Sequence, residues 1–523
     1  MAADASTLPA LLGHNRVHHA NKAAIVTRHR AITHAALDAD SRALGANLVA
    51  AGVGPGARVG LLLPNGIEWA VTAAAVWRVG AVLVPLSTLL RPPELLAQLQ
   101  AASITQLVLT PSFRDRSYLD DLEAVAPGVI DATRGERRHP LVPFLRSVWA
   151  VDDLPRPRVH EDLVEQLEGS VRPAHDLVVL FTSGSRGTPK GTVHTHGNAL
   201  RAVASGLAAR CIDSGDRLYI PMPLFWTGGL AGGLLTTLVA GATLLTEAVP
   251  EPEQTLELLE RERVTIFRGW PDQAAQLAAH PRFATTDLSS LGPGSLPAVL
   301  PAAARPGPGT RANLFGMTET FGPYCGARLD MDLPEPAQGS CGRPFAGVEV
   351  RIVSSQRGEQ CAPGTTGEIQ VRGPNLMRAI WGRTRQATFE RDGFYPTGDL
   401  GSLDVDGYLW YHGRLDDMFK VKGATVYPTE VEAAVRAIDG VRQAHVTNLP
   451  RDGGAHAIGI LVVSEAPLEE LVRAARSRLS AFKVPTCWLL TRSPDDVPLT
   501  ATSKVDKAAL QALLRQDGQW TQR

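Results

Sequence analysis

Phe181-Thr-Ser-Gly-Ser-Arg-Gly-Thr-Pro-Lys-Gly191 comes directly after the apolar run Leu177-Val-Val-Leu180, so a hydroxyl- and glycine-rich loop closed by a lysine follows what reads as a strand. Gly184, Gly187 and Gly191 free the backbone to turn several N–H groups toward one anion. Thr182, Ser183, Ser185 and Thr188 add hydroxyl donors, and Lys190 and Arg186 add positive charge. The spacing is not that of a Walker loop, because Pro189 stands where that pattern needs its second glycine, and it is not a dinucleotide fingerprint. Two readings of the loop stand at this level: a phosphate cradle of another kind, or a solvated turn built from ordinary turn formers.

Outward from the loop, the first part of the chain alternates strand and helix patterns. Ala35 to Ala51 has helical spacing, Arg58-Val-Gly-Leu-Leu-Leu63 is strand-like, and Glu68 to Val79 is helical again. Ala81-Val-Leu-Val84 and Gln106-Leu-Val-Leu109 continue the strand series. This order predicts an α/β fold in layers around a largely parallel sheet. After about residue 340, short strands such as Val348 to Val353 and Gly367 to Gly373 alternate with glycine turns and predict a small β-rich subdomain. Near the end, a helix from Pro428 to Ile438, strands near His445 and at Ile458 to Val463, and a helix from Leu468 to Leu479 predict a compact α+β unit. The expected division is a large N-terminal domain, 1–414, with its β-rich subdomain at about 341–414, and a small mobile C-terminal domain, 415–523. The Pro- and Arg-rich stretch Arg134 to Arg158 and the run Pro301 to Gly309 read as surface connections.

With 523 residues the chain can bury a large core without disulfides or metals. Its formal net charge of −1 supplies no global field toward nucleic acid or an anionic membrane. Any anion binding must be local. Cys211, Cys325, Cys341, Cys361 and Cys487 are odd in number and form no C-x-x-C pair, so they read as reduced thiols of a cytoplasmic protein. The first residues do not show a charged segment followed by an apolar one, as a secretory signal would. The apolar region Gly228 to Leu245 is rich in Gly and Thr and reads as buried core, not as a transmembrane segment. The oligomeric state is left open, a homodimer included.

Four further pieces follow the loop in order. Asn313-Leu-Phe-Gly-Met-Thr-Glu319 supplies a ring, a glycine, a hydroxyl and a carboxylate. Tyr395-Pro-Thr-Gly-Asp-Leu-Gly401 places Asp399 after a tight turn. Gly413-Arg-Leu-Asp-Asp-Met-Phe-Lys-Val-Lys-Gly423 is a charged, hinge-like stretch, and Leu499-Thr-Ala-Thr-Ser-Lys504 presents another lysine. In this order the chain resembles the adenylate-forming superfamily: acyl-CoA synthetases, adenylation domains of peptide synthetases and firefly-type luciferases. By motif the resemblance runs from Phe181 to Lys504, and by layout it includes the N-terminal part.

The resemblance implies an enzyme that uses ATP and Mg²⁺ to turn a carboxylate into an acyl-adenylate with release of pyrophosphate, then passes the acyl group to the thiol of CoA as co-substrate. It implies that Thr182, Ser183, Gly184, Ser185, Arg186, Gly187, Thr188 and Lys190 hold the β- and γ-phosphates, and that Glu319 is the Mg²⁺ ligand. Thr318 then lies near the α-phosphate and the substrate carboxylate, and Phe315 stands where a stacking Tyr is usual. Asp399 accepts from the ribose hydroxyls, Arg414 contacts ribose or phosphate, Asp416 is the hinge, and Lys504 stabilises charge on the α-phosphate during adenylation. Phe225, Trp226, Gly228 and Trp270 fall at the acyl pocket, and Lys420 and Gly423 on the CoA side. His196 matches a family pattern, and for both His194 and His196 the expectation is a structural or gating role.

Departures mark the acid end of the site. Trp226 stands where many relatives carry His, and Arg268-Gly-Trp270-Pro271 replaces a commonly apolar stretch. Arg268 is read either as a recogniser of a second polar group or as a salt-bridged scaffold residue. Arg186 replaces a threonine and Ser503 a glycine, and Gly292-Pro-Gly-Ser-Leu-Pro297 matches the family's Gly-Gly-Ala stretch only loosely. The alternatives to a CoA ligase are an adenylation enzyme that loads the phosphopantetheine of a carrier protein, a non-catalytic nucleotide-binding homologue, and a kinase, which would make ADP instead of AMP.

Overall fold

The computed structural model describes residues 5–135, 137–153, 161–182, 190–354, 358–415, 419–421, 424–450, 456–479, 483–500 and 504–521. By packing, the chain falls into two units, one comprising residues 1–349 with 372–393 and the other residues 350–371 with 394–523. The expected hinge at Asp416 is a separate matter and lies outside the described residues.

The first unit is built on two sheets. A seven-stranded sheet runs in the order Ala379–Ile380, Lys190–Thr195, Asp176–Thr182, Val82–Pro85, Arg58–Leu62, Gln106–Leu109 and Ser147–Ala150. Its last five strands are parallel, and the two at the other end pair antiparallel. Such parallel strands are covered on both faces and read as near-continuous apolar runs, as the wholly buried Val82–Pro85 and, after its first residue, Gln106–Leu109 do. A five-stranded sheet has the order Ile266–Phe267, Arg217–Tyr219, Thr243–Leu245, Ala23–Val26 and Ala31–Thr33, parallel except at its last pair. The helix Ile67–Arg78 is Ala-rich and buried almost all round, which places it inside the unit and not on its surface. The prediction of layered α/β structure around a largely parallel sheet therefore holds.

The second unit carries a four-stranded sheet, Glu349–Val353, Gly367–Arg372, Tyr395–Leu403 and Leu409–Arg414. It also carries a second four-stranded sheet, Val441–Pro450, His456–Ser464, Cys487–Thr491 and Gln519–Trp520, with helices Pro428–Arg436, Leu468–Arg478 and Lys507–Asp517. Val431, Val435, Leu471, Ala475 and Trp488 form one core with the strands.

One connection differs from expectation. The stretch from Arg134 contains the edge strand Ser147–Ala150 of the large sheet, while residues 154–160 lie outside the described ones. All five cysteines are free. Among the described residues no helix is long and apolar enough to cross a membrane.

Candidate active site

The hairpin around the glycine-rich loop pairs Thr182 with Lys190 and Phe181 with Gly191. Ser183, Gly184, Ser185, Arg186, Gly187 and Thr188 lie outside the described residues. Lys190 opens the strand Lys190–Thr195, and by strand alternation Lys190, Thr192 and His194 share one face. That face seizes two consecutive residues of another segment. Lys190 Nζ bonds Glu319 Oε1 at 2.5 Å, and His194 Nε2 donates to the Thr318 carbonyl at 2.8 Å.

The direction of the second bond follows from its neighbours. Asn198 Nδ2 is 2.7 Å from His194 Nδ1, and an amide N–H₂ can only donate, so the ring's proton belongs on Nε2. The ring is fully buried, and burial pushes its pKa down to about 4, so it is the neutral imidazole that spans Asn198 and Thr318. Asn198 is itself fixed by a capping box: its N–H donates to Thr195 Oγ1 at 3.2 Å and its Oδ1 accepts from Thr195 N at 2.5 Å. The strand that carries Lys190 is thereby locked to the helix His196–Ser205. His196 has a purely structural contact, accepting the Leu8 N–H at 3.2 Å through Nδ1.

Thr318 and Glu319 belong to a single 3₁₀ turn, Thr318–Thr320, between the strands Phe315–Met317 and Gly322–Gly326. The turn ends at Phe321, whose φ of 55° is in the left-handed region, and its ring rests on His194 with centroids 4.6 Å apart. A bulky residue holds such a backbone only when its surroundings impose it. Gly316 is required by the crossing below the turn, since a Cβ there would stand 2.2 Å from Gly322 O. Phe315 meets Tyr324 edge-on at 5.6 Å. Glu319 is buried and accepts its main-chain bond from Met377 N at 2.8 Å.

Beside the turn lies an aromatic cluster. Trp226 contacts Phe225 at 5.4 Å and Trp270 at 5.8 Å, both edge-on, and the next hydroxyl, Thr227 Oγ1, donates to Thr318 Oγ1 at 3.2 Å. Gly228 and Gly229 let this helix start press on the preceding loop; a Cβ on Gly229 would stand 2.1 Å from Pro223 O. The helix continues through a π turn, Leu230–Leu235, into Thr236–Ala240, and π turns recur at functional sites. Phe225 is buried, whereas Trp226 and Trp270 are partly exposed.

In the second unit, Asp399 and Arg414 are opposite one another on adjacent antiparallel strands. Arg414 Nη1 donates to Asp399 Oδ1 at 3.0 Å and to Thr397 O at 3.1 Å. Gly398, at φ 70°, makes the turn that presents Asp399, and a Cβ there would meet Arg414 Nη2 at 3.0 Å. Lys504 is exposed; its N–H donates to Thr500 Oγ1 at 3.3 Å and its carbonyl accepts from Thr500 N at 2.7 Å. Lys420 pairs with Thr425 in a two-stranded ladder, and Gly423, like Asp416 and Lys422, lies outside the described residues.

Among the described residues no group of three or more His, Cys, Asp and Glu could hold a metal unaided. Glu319 is one hard oxygen donor whose carboxylate accepts a cation, the Lys190 ammonium. One carboxylate completed by phosphate oxygens suits Mg²⁺, so the residues fit an ion that arrives with a nucleotide.

The chain matches the family of AMP-binding enzymes over residues 13–381. It is 34% identical over 492 residues to a feruloyl-CoA synthase of an Amycolatopsis species, covering 91% of this chain and 93% of that one. It is 31% identical over 535 residues to a 7a-methyl-1,5-dioxo-octahydro-1H-inden-4-yl propanoyl:CoA ligase of Mycobacterium tuberculosis, covering 98% and 100%. Among solved structures it is similar to the O-succinylbenzoate coenzyme A synthetase of Bacillus subtilis in complex with ATP and magnesium ion, with a TM-score of 0.77, 25% identity, and coverage of 96% and 99%. The chain belongs to the AMP-binding enzymes. It is an acid–thiol ligase of the acyl-CoA synthetase class, which activates a carboxylic acid as its acyl-adenylate.

Sequence reasoning singled out Lys190, Thr318 and Glu319 but left His194 between two roles and did not single out Asn198 or Thr227. The available signal was the spacing of Lys190 and His194, which puts both on one strand face.

Proposed function

We propose that this chain joins a carboxylic acid to ATP, releasing pyrophosphate, and then transfers the acyl group from the adenylate to the thiol of CoA, releasing AMP. The observation that carries the reading is the Thr318–Glu319 turn, gripped by Lys190 and His194 and set directly beside the Phe225–Trp226–Trp270 cluster. It juxtaposes a carboxylate–ammonium pair with an aromatic surface, as a reaction between a polyphosphate and an acid with an apolar body requires.

In this reading Lys190, with residues 182–188, takes the β- and γ-phosphates, and Glu319 takes the magnesium ion. Bound magnesium neutralises charge that builds on the phosphate oxygens. Thr318, held by Thr227 and by the His194 bond to its carbonyl, offers its hydroxyl to the acid's carboxylate and the α-phosphate. Phe315 stacks on adenine, and Asp399 accepts from the ribose hydroxyls while Arg414 holds it oriented. Lys504 brings positive charge to the α-phosphate as the pentavalent centre forms. Asp416 is the hinge, and Lys420 and Gly423 serve the thiol step. Trp226, Trp270, Phe225 and Gly228 shape the acyl pocket.

The test is acid-dependent exchange of labelled pyrophosphate into ATP across short, medium, long and aromatic acids. AMP is the expected nucleotide product, and CoA is expected to accelerate its release more than a phosphopantetheine-bearing carrier protein does. No exchange with any acid, or ADP as product, would refute the reading.

A further inference from the structure

One partly buried charge at the acid end has no place in that scheme. Arg268 extends the parallel ladder of Ile266–Phe267, its N–H donating to Tyr219 O at 3.0 Å. Side chains alternate along such a segment. Phe267 stacks on Tyr219 and belongs to the core that holds Leu256 and Leu259, so Arg268 is turned with Ile266 to the opposite face. On that face its Nε and Nη2 are shut off from solvent and have no hydrogen-bond partner. No carboxylate among the described residues forms an ion pair with it, which removes the salt-bridged scaffold reading.

The surroundings add positive charge. Arg210, which is buried, spends its donors on neutral acceptors, Gly206 O at 3.1 Å, Val203 O at 3.0 Å and Thr236 Oγ1 at 2.9 Å. Burial, and then the charge of Arg268, pushes Arg210 down to about 9, and burial pushes Arg268 down to about 10, so both stay cationic at neutral pH. Nη2 of Arg268 faces Gly294, where an added Cβ would stand 3.5 Å away, in the stretch that pairs back on the strand through Leu296 N to Phe267 O at 3.0 Å. Gly269 then leads to Trp270 and its contact with Trp226.

A buried donor left unmade is costly, and more so on a charged group, so a fold that keeps one has something else to complete it. We propose that the acid activated by this enzyme carries a second oxygen acceptor at the end remote from the reacting carboxylate, and that Arg268 binds it through Nε and Nη2. Those two N–H groups are parallel and match the two oxygens of a carboxylate, with a single ketone or hydroxyl oxygen as the weaker fit. The proposal rests on the ligase reading above and specifies its substrate class.

Matched acids test it: phenylpropanoic acid bearing a para-carboxy, para-acetyl or para-methyl group, and adipic against hexanoic acid. The readout is the ratio of kcat/KM for acceptor-bearing over apolar acid in pyrophosphate exchange. The wild type is expected to favour the acceptor-bearing member about ten- to hundredfold, the worth of a charge-assisted bond. Arg268→Met is expected to bring that ratio within about threefold of unity, by loss of the same bond. If Arg268→Met does not fold, as judged by circular dichroism, the ratio is read from Arg268→Gln, with the same expected fall. A wild type with no preference in any pair, or a variant that keeps the preference, overturns the proposal while exchange with the apolar acids leaves the ligase reading intact. No exchange with any acid overturns both.

Discussion

His194→Ala is the substitution whose consequences the geometry defines most fully. The ring donates to Thr318 O at 2.8 Å, receives Asn198 Nδ2 at 2.7 Å and rests against Phe321 at 4.6 Å. Asn198 keeps a second acceptor, Asn375 O at 3.3 Å, so truncation orphans chiefly the Thr318 carbonyl. That costs about 1–3 kcal/mol. The lost ring contact adds ~1 kcal/mol and the cavity a comparable amount, giving about 3–5 kcal/mol in all. A urea midpoint reads this term. The functional term is separate: with its anchor gone, the turn no longer fixes Thr318 and Glu319, and a displacement near 1 Å at reacting groups lowers kcat about a hundredfold. The Mg²⁺ concentration for half-maximal exchange should rise with it. Gln at the same position reaches the carbonyl with its amide N–H₂, so His194→Gln should recover about tenfold of the lost rate, roughly one hydrogen bond's worth. An alanine variant within threefold of wild type in Mg²⁺-dependent exchange, or equal to the glutamine variant, would refute the assignment of His194 as the residue that positions the turn.

Glu319→Gln keeps the size of the side chain and removes its charge, so exchange should fall about a hundredfold and the half-saturating Mg²⁺ should rise; an unchanged Mg²⁺ dependence would remove its assigned role. Lys504→Ala should lose ~10²-fold or more in adenylation while nucleotide affinity by calorimetry stays within about twofold, since the role proposed for the lysine lies in the transition state. Asp399→Ala should raise KM for ATP about tenfold with little change in kcat, the pattern of a lost ground-state contact; the reverse pattern would count against ribose binding. Acid should destabilise the first unit through His34 and His196, which burial holds at about 4 and about 3. Both are neutral when folded and bind a proton near pH 6.5 when unfolded, so their stability is complete above that pH. It is lost as pH falls toward the folded values, at about 1.4 kcal/mol per pH unit for each. His196→Gln should flatten the urea-midpoint slope between about pH 6 and 4 by one such increment; identical slopes would contradict this.

Much of the fold was legible because its driving patterns are local. Gln106–Leu109, with its apolar run Leu107-Val108-Leu109, was read to the residue, and the helices His34–Ala50, Ile67–Arg78 and Pro428–Arg436 were placed to within about two residues, the usual scatter of helix ends. Ser147–Ala150, all partly buried at a sheet edge, was missed because its short apolar run Val148-Trp149-Ala150 sits inside a Pro- and Arg-rich stretch that reads as a connection. The π turn Leu230–Leu235 was hidden in a Gly-rich apolar stretch with no period to read. His194 was found but not understood, because its partner Thr318 is distant in sequence and only the strand alternation aligns it with Lys190.

The same distinction separates the two ends of the site. Holding a nucleotide calls for charges and hydroxyls at short spacings on turns, and Lys190, Glu319 and Asp399 each announce themselves within a few residues of a glycine. Recognising an acid depends on which face a side chain takes once the core has packed. Arg268 is decided in that way. Phe267 docks on Tyr219, the strand's alternation turns the guanidinium to the other face, and Nε and Nη2, with no hydrogen-bond partner there, are the donors assigned by our proposal to the acid's second acceptor. Composition alone offers two fates for an arginine at that position, and it is the docking of its neighbour that chooses between them.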